Sequence, residues 1–393
     1  MKWVSAFSDE ADYEVSLRSC ITQMERQDCV EPDLIFVYFR PSFFQYYLQI
    51  FTAVERVFPT AHIVCCGTSA MMSGLEELAD GSCMSMMAAN LPGVDVMITH
   101  VDLTKEPGAD ASPAEWYSYT GIDKQQNQHF IVLADPFSAN LENVLKGMDY
   151  AYDATIVGGF SSGMEFKGDA ILVTEGVCYN HGVLLISLSG AIDMIPIVAQ
   201  GCRGIGDDLT ITDCHEVVLD KVNNQSPMIC LKEISEKLDD QDKDLLHKSL
   251  FIGVEMDSLS MDLNNREYLI RNIRGVNPES GALVVGEKLQ HGQNIRFHLR
   301  DPKSSKEELL DRVERYKMKM SARKCKGIMI FSCLGRLSDF YGEESVDAGI
   351  ASIVDDEAPL SGLFCSGEVG PVQGSTYIHG YTAVIAYFYE PVK

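Results

Sequence analysis

GLFCSGEVGPVQGSTYIHGYTAVIAY, residues 362–387, is the stretch on which the fold turns. One apolar run ends in Cys365-Ser366-Gly367-Glu368, the chain crosses Gly370-Pro371, and a second apolar run resumes after His379. Short apolar runs bounded by turn-forming residues read as buried strands. Cys365 and His379 could pair as thiolate and imidazolium. But Cys365 sits in an apolar run, where burial raises a thiol's pKa and makes it inert. A ligand-lining turn between two buried strands is the preferred reading.

Three other strand ends echo this one: IVCCGTSAMMSG (63–74), TIVGGFSSGM (155–164) and MIFSCLGR (329–336). Each carries an apolar run into Cys, Gly or Ser. Small residues let backbone approach a ligand or another strand, and α/β sheets place their sites at strand carboxyl ends. Around these ends, DLIFVYFR (33–40), the helix-periodic SFFQYYLQIFTAVERVF (42–58) and the strand AHIVCC (61–66) make a strand–helix–strand unit. HFIVLADPF, SANLENVLKGMDYAY and ATIVGGF repeat it over 129–160. AILVTEG, HGVLLISLSG and AIDMIPIVAQG then read as an antiparallel meander, and KVNNQSP (221–227) as a boundary. Beyond it come two helices (229–238, 240–250), strands at LFIGVEM, EYLIRNI, GALVVGE and NIRFHLR, a charged helix (305–324) and the closing strands. The expected fold is α/β: two lobes of mixed β-sheet with flanking helices, the sheets packed face to face.

Composition narrows the function. At 393 residues two domains are expected, and 46% apolar with 23% charged residues is ordinary for a globular chain. A formal net charge of −25 repels phosphate backbones and anionic membrane surfaces, so neither nucleic acid nor membrane is expected as a partner. The start, MKWVSAFSDEADYE, has no signal-peptide core, and no run approaches a membrane span. The twelve cysteines include no C-x-x-C pair and no zinc spacing, which fits reduced thiols in a cytoplasmic protein without metal or cofactor.

FSCLGR (331–336), FCSGEVGPV (364–372) and HGYT (379–382) together resemble the C-terminal FIST domain. IVCCGTSA (63–70), TIVGGFSSG (155–163) and AQGCRGIG (199–206) resemble the N-terminal FIST domain. The resemblance implies an N-terminal domain over 1–226 and a C-terminal domain over 227–393. It also implies a sensory α/β module that binds a small ligand, with an amino acid the usual proposal. In its stand-alone form such a sensor needs a separate signalling partner protein to report to.

An amino acid brings a carboxylate and an ammonium, and desolvating either without a partner costs several kcal/mol. Arg336, whose planar fork suits a carboxylate, is the first candidate, with Arg203 second. Glu368 is the candidate for the ammonium. Gly159, Ser161, Ser162, Ser366, Gly367 and Gly67 are candidates for backbone N–H and hydroxyl donors. The competing structural reading pairs Arg336 with Glu368. Gly159–Gly163 also matches the G-x-S-x-G elbow, but that elbow needs a helix directly after Ser161, and a glycine and a strand follow. Cys333 and Cys365 are the candidates a cysteine-dependent enzyme would use. A scaffold with a filled pocket is the third class.

Overall fold

The structure is a computed structural model and describes residues 1–108, 110–256 and 268–392. It divides into two compact units, one of Met1–Ala199 with Leu309–Lys393 and one of Gln200–Glu308.

The first unit is built from three copies of one pattern. The first copy runs β1 (Lys2–Ser8), α1 (Tyr13–Arg26), β2 (Leu34–Phe39), α2 (Tyr47–Val57), β3 (His62–Gly67), the hairpin β4 (Met71–Ser73) and β5 (Glu76–Leu78), then β6 (Met84–Asn90). The second runs β7 (Val94–Val101), α3 (Pro113–Thr120), β8 (His129–Ala134), α4 (Leu141–Tyr152), β9 (Thr155–Phe160), the hairpin β10 (Leu172–Thr174) and β11 (Val177–Tyr179), then β12 (Val183–Gly190). The third opens with β13 (Asp193–Ala199), and the whole second unit is inserted behind that strand.

The second unit closes a barrel in the order β14 (Arg203–His215), β15 (Val218–Val222), β18 (Leu283–Val285), β17 (Tyr268–Val276), β16 (Leu250–Glu255) and β19 (Asn294–Leu299), all pairs antiparallel. It also carries α5 (Pro227–Ser235) and α6 (Asp240–Leu246). The segment 221–227 is the turn between β15 and α5. Of the run EYLIRNI, Glu267 lies outside the described residues. The third copy then completes itself with α7 (Pro302–Met320), β20 (Gly327–Cys333), α8 (Ser338–Tyr341), α9 (Val346–Ala351), β21 (Leu360–Cys365), the hairpin β22 (Glu368–Val372) and β23 (Ser375–His379), and β24 (Ala383–Tyr389).

Each copy makes the same four-stranded core: β1-β6-β2-β3, β7-β12-β8-β9 and β13-β24-β20-β21. In each, the two strands flanking the second helical segment are parallel and the rest antiparallel. The hairpins are exchanged in a ring. β4–β5 pairs with β21 of the third copy, β22–β23 with β9 of the second, and β10–β11 with β3 of the first. Every receiving strand would otherwise expose unpaired N–H and C=O groups, so the exchange covers three sheet edges. The expected meander is therefore wrong. β10, β12 and β13 lie in three different sheets, because each finds its ladder partner far away in sequence. The closing stretch likewise holds four strands rather than two.

The central strands read as unbroken apolar runs because both faces are buried. In β2, Ile35, Val37 and Phe39 pack with Leu17, Cys20 and Met24 of α1 and Ile50, Phe51 and Val54 of α2. Phe36 and Tyr38 point the other way, between sheets, where Tyr38 reaches Met329 of β20 and Trp3 stacks on Phe388. Helix ends follow capping chemistry: Asp12 accepts from Glu14 and Val15 N–H to start α1, and Ser112 with Glu115 forms a capping box on α3.

Candidate functional site

The ring of copies gathers the four echoing strand ends in the first unit. In register, Gly67 of β3, Phe160 of β9 and Cys365 of β21 are equivalent, each opposite the last residue of the neighbouring parallel strand. Ser162 Oγ donates to Phe364 O at 2.6 Å, accepts from Ser69 N at 3.0 Å and lies 3.1 Å from Thr68 Oγ1. Ser161 donates through N and Oγ to Ala134 O at 2.8 and 3.1 Å. Both serines are buried; Ser162 ties the second copy to the first and third, while Ser161 fastens the ends of β8 and β9 within the second. Gly67 N donates to Ile171 O at 2.9 Å and joins the same lock. Gly159 makes room for Cys365: a Cβ there would stand 2.3 Å from its sulfur.

Arg336 and Glu368 are both fully buried, yet they do not pair with each other. Arg336 Nε and Nη2 grip Asp347 Oδ2 and Oδ1 at 2.8 and 3.0 Å, the bidentate geometry in which this fork is strongest. Ser332 Oγ at 2.5 Å and Tyr341 OH at 2.9 Å donate to the same carboxylate. Glu77 of the exchanged hairpin accepts from Ala348 N at 3.1 Å. Burial first, then the negative charge of Asp347, pushes the Glu77 carboxyl up to about 7.

The two buried charges meet at one peptide group. Arg336 Nη1 donates to Tyr381 O at 3.4 Å, and Glu368 Oε2 accepts from Thr382 N at 3.1 Å. The guanidinium thus holds the carbonyl of the Tyr381–Thr382 peptide and the carboxylate holds its N–H. Tyr381 reaches this position with φ of 62°, a left-handed conformation costly for a bulky side chain. Ser366, exposed in the adjacent turn, donates its N–H to Phe160 O at 3.2 Å, and Gly367 O accepts from Phe160 N at 2.8 Å.

The Cys365 thiol donates to Leu363 O at 3.7 Å, while His379 Nε2 contacts Gly370 O at 3.0 Å, on the strand opposite. Burial, then the charge of Glu368, pushes the Cys365 thiol well above its usual pKa, the reverse of what a nucleophile needs. Cys333 is the register partner of Cys365 and is half-buried. Arg203 belongs to the barrel unit, where its guanidinium bonds Asp301 at 3.0 Å and Asp242. Among the described residues no cluster of His, Cys, Asp and Glu could hold a metal ion, and no helix is long and apolar enough to cross a membrane.

Sequence reasoning missed Asp347, Ser332, Tyr341, Tyr381 and Thr382. Asp347 is the one charged residue of VDAGIA, but an acid in the first turn of a helix is ordinary, so the sequence did not mark it as buried.

Two family descriptions match this chain, the FIST N domain over residues 33–225 and the FIST C domain over 230–371. The chain belongs to the FIST family. Its FIST N segment continues past Ala199 into β14 and β15 of the barrel, and its FIST C segment ends within β22. This FIST protein is similar to uncharacterized protein Rv0628c of Mycobacterium tuberculosis (strain ATCC 25618 / H37Rv), with 26% identity over 344 residues, 87% of this chain and 88% of the relative. It is similar also to uncharacterized protein Mb0898c of Mycobacterium bovis (strain ATCC BAA-935 / AF2122/97), with 26% identity over 346 residues, 88% and 87% of the two chains. FIST domains are associated with sensory signal transduction.

Proposed function

We propose that this FIST protein senses an amino acid, which it binds at the strand ends of the first unit in place of the Tyr381–Thr382 peptide group. One observation carries the reading. That peptide offers a carbonyl oxygen to Arg336 and an N–H to Glu368, the same acceptor and donor that an amino acid offers as carboxylate and ammonium. The bonds to the peptide group already have one ionised partner each; with an amino acid both partners would be charged, which adds Coulombic attraction in a buried site. Asp347 holds Arg336 in place, Gly67, Gly159, Ser161, Ser162 and Gly367 keep the strand ends together, and the exposed Ser366 hydroxyl is within the same turn to take a second carboxylate oxygen.

Because both charges are fully buried, a ligand reaches them only when the Gly380–Thr382 turn moves. Binding is thereby coupled to a displacement, and release of the left-handed Tyr381 offsets part of its cost. A separate signalling partner protein in the cytoplasm would read the displaced turn.

A thermal-shift screen of the purified protein against the amino acids tests this reading. A ligand at 100 times its Kd adds about 2.7 kcal/mol. Glu368→Gln, which keeps the shape and removes the charge, is expected to abolish the shift. No stabilisation by any amino acid would reject the proposal.

A further inference from the structure

The barrel unit carries a second feature, unrelated to the strand ends and independent of the ligand reading. A groove of about 770 Å³ runs between α5, α6 and the barrel strands β16, β17 and β18. One face of α5, Met228, Leu231, Lys232 and Ser235, lines one side at the i, i+3, i+4, i+7 spacing of a helix face that normally packs against something. Leu246, Leu250, Ile273 and Val276 complete an apolar floor, on which Met228 and Val276 remain 37% and 48% exposed.

The charges around this floor are one-sided. Lys232, Lys243, His247 and Lys248 line the groove, and no carboxylate does among the described residues. Lys243 approaches Asp240 no closer than 3.9 Å. In a chain of net charge −25, whose α5–α6 segment itself holds Glu233, Glu236, Asp239, Asp240, Asp242 and Asp244, an all-basic lining stands apart from its surroundings. The acids of this segment are absent from the groove lining, so the charged groups that line it are basic.

We infer that this groove docks an acidic amphipathic helix of a partner protein. Apolar anchors spaced i, i+3 or i+4, i+7 would lie on the floor, and Glu or Asp side chains would meet Lys232, Lys243 and Lys248. Charge complementarity selects the acid-flanked helix. The open floor, spread over two helices and three strands, selects a laid-in segment over a compact small molecule, which a site buries on most sides. Met228 gives the floor an adaptable side chain of the kind that accommodates varied anchors.

The test uses the full chain and a fluorescent, lactam-stapled helix of about 15 residues with Leu at the anchor positions and Glu between them. Fluorescence anisotropy is expected to show saturable binding at micromolar peptide. The triple variant Lys232→Glu/Lys243→Glu/Lys248→Glu, all three at exposed positions, is expected to bind at least about tenfold more weakly. A peptide of the same composition with its Leu residues out of helical register is expected to lose binding too. Circular dichroism of the variant checks that its fold is kept. No saturable binding up to about 1 mM, or equal binding by the variant, would overturn the inference. So would sedimentation showing that the groove is filled by a second copy of this chain.

Discussion

Asp347→Ala is the substitution that probes the buried charges most sharply. It removes the carboxylate to which Arg336 Nε and Nη2, Ser332 Oγ and Tyr341 OH all donate, at a position with no solvent exposure. Arg336 would lose its bidentate carboxylate partner in the interior, and breaking such a pair costs about 3–5 kcal/mol. With two further donors stranded, the upper end of that range is expected. Replacing both charges, Arg336→Met with Asp347→Leu, removes the charge-burial penalty together with the attraction and should be less costly than Asp347→Ala alone, the remaining loss coming from the stranded Ser332 and Tyr341 hydroxyls at about 1–3 kcal/mol each. The difference between this double variant and the sum of Arg336→Met and Asp347→Leu measured singly is the coupling energy. Urea unfolding followed by tryptophan fluorescence suits the question, because both tryptophans, Trp3 and Trp116, are buried in the first unit. A cost below about 1 kcal/mol for Asp347→Ala, or strict additivity of the two singles, would refute the account of this network.

Other outcomes follow from the same geometry. The Glu77 carboxyl is pushed from an ordinary 4.5 up to about 7, so the folded chain holds its proton more tightly than the unfolded chain does. That contribution, about 3 kcal/mol, is complete below pH 4.5 and is lost as pH rises through about 7. Urea midpoints between pH 5 and 8 should therefore fall for wild type, after allowance for other groups, and fall less for Glu77→Gln. Gly159→Ala places a methyl 2.3 Å from the Cys365 sulfur and should cost about 1–3 kcal/mol, partly recovered by adding Cys365→Ala; a neutral single variant would contradict the packing. Tyr381→Gly relieves a left-handed φ of 62° and should stabilise the unliganded chain by roughly 1 kcal/mol while weakening amino-acid binding by a similar factor in free energy. Cys365 should resist iodoacetamide in the native chain at pH 8 and react after denaturation, as read by peptide mass spectrometry; rapid native labelling would reopen a nucleophilic role.

Much of the α/β character was legible locally. DLIFVYFR, HFIVLADPF and GIMIFSCLGR announce buried strands because both of their faces are covered, and the helices between them show their apolar stripe. The echo among strand ends was a true sign of repetition, since three of the four ends, at Gly67, Phe160 and Cys365, occupy equivalent positions in three copies. The exchange of hairpins was not legible. β4, β5, β10 and β11 are three residues each, too short to show a period, and their partners are chosen by the edges left open elsewhere. The barrel was hidden for the same reason: its ladders join residues as distant as Arg203 and Leu299. At the site, residue chemistry singled out Arg336 and Glu368 as charges that would need partners. It could not say that Asp347 and one backbone peptide are among the partners, because α9 and the Gly380–Thr382 turn reach them only in three dimensions.

Whether Glu368 holds the ligand's ammonium is read by isothermal titration of the stabilising amino acid into wild type and Glu368→Gln, with the corresponding deaminated acid as a third titration. Wild type is expected to bind the amino acid, Glu368→Gln to bind it at least about tenfold more weakly, and the deaminated acid to bind wild type no better than the variant binds the amino acid. Equal affinities of wild type and Glu368→Gln for the same amino acid would place the ammonium elsewhere and contradict the exchange of ligand for peptide group.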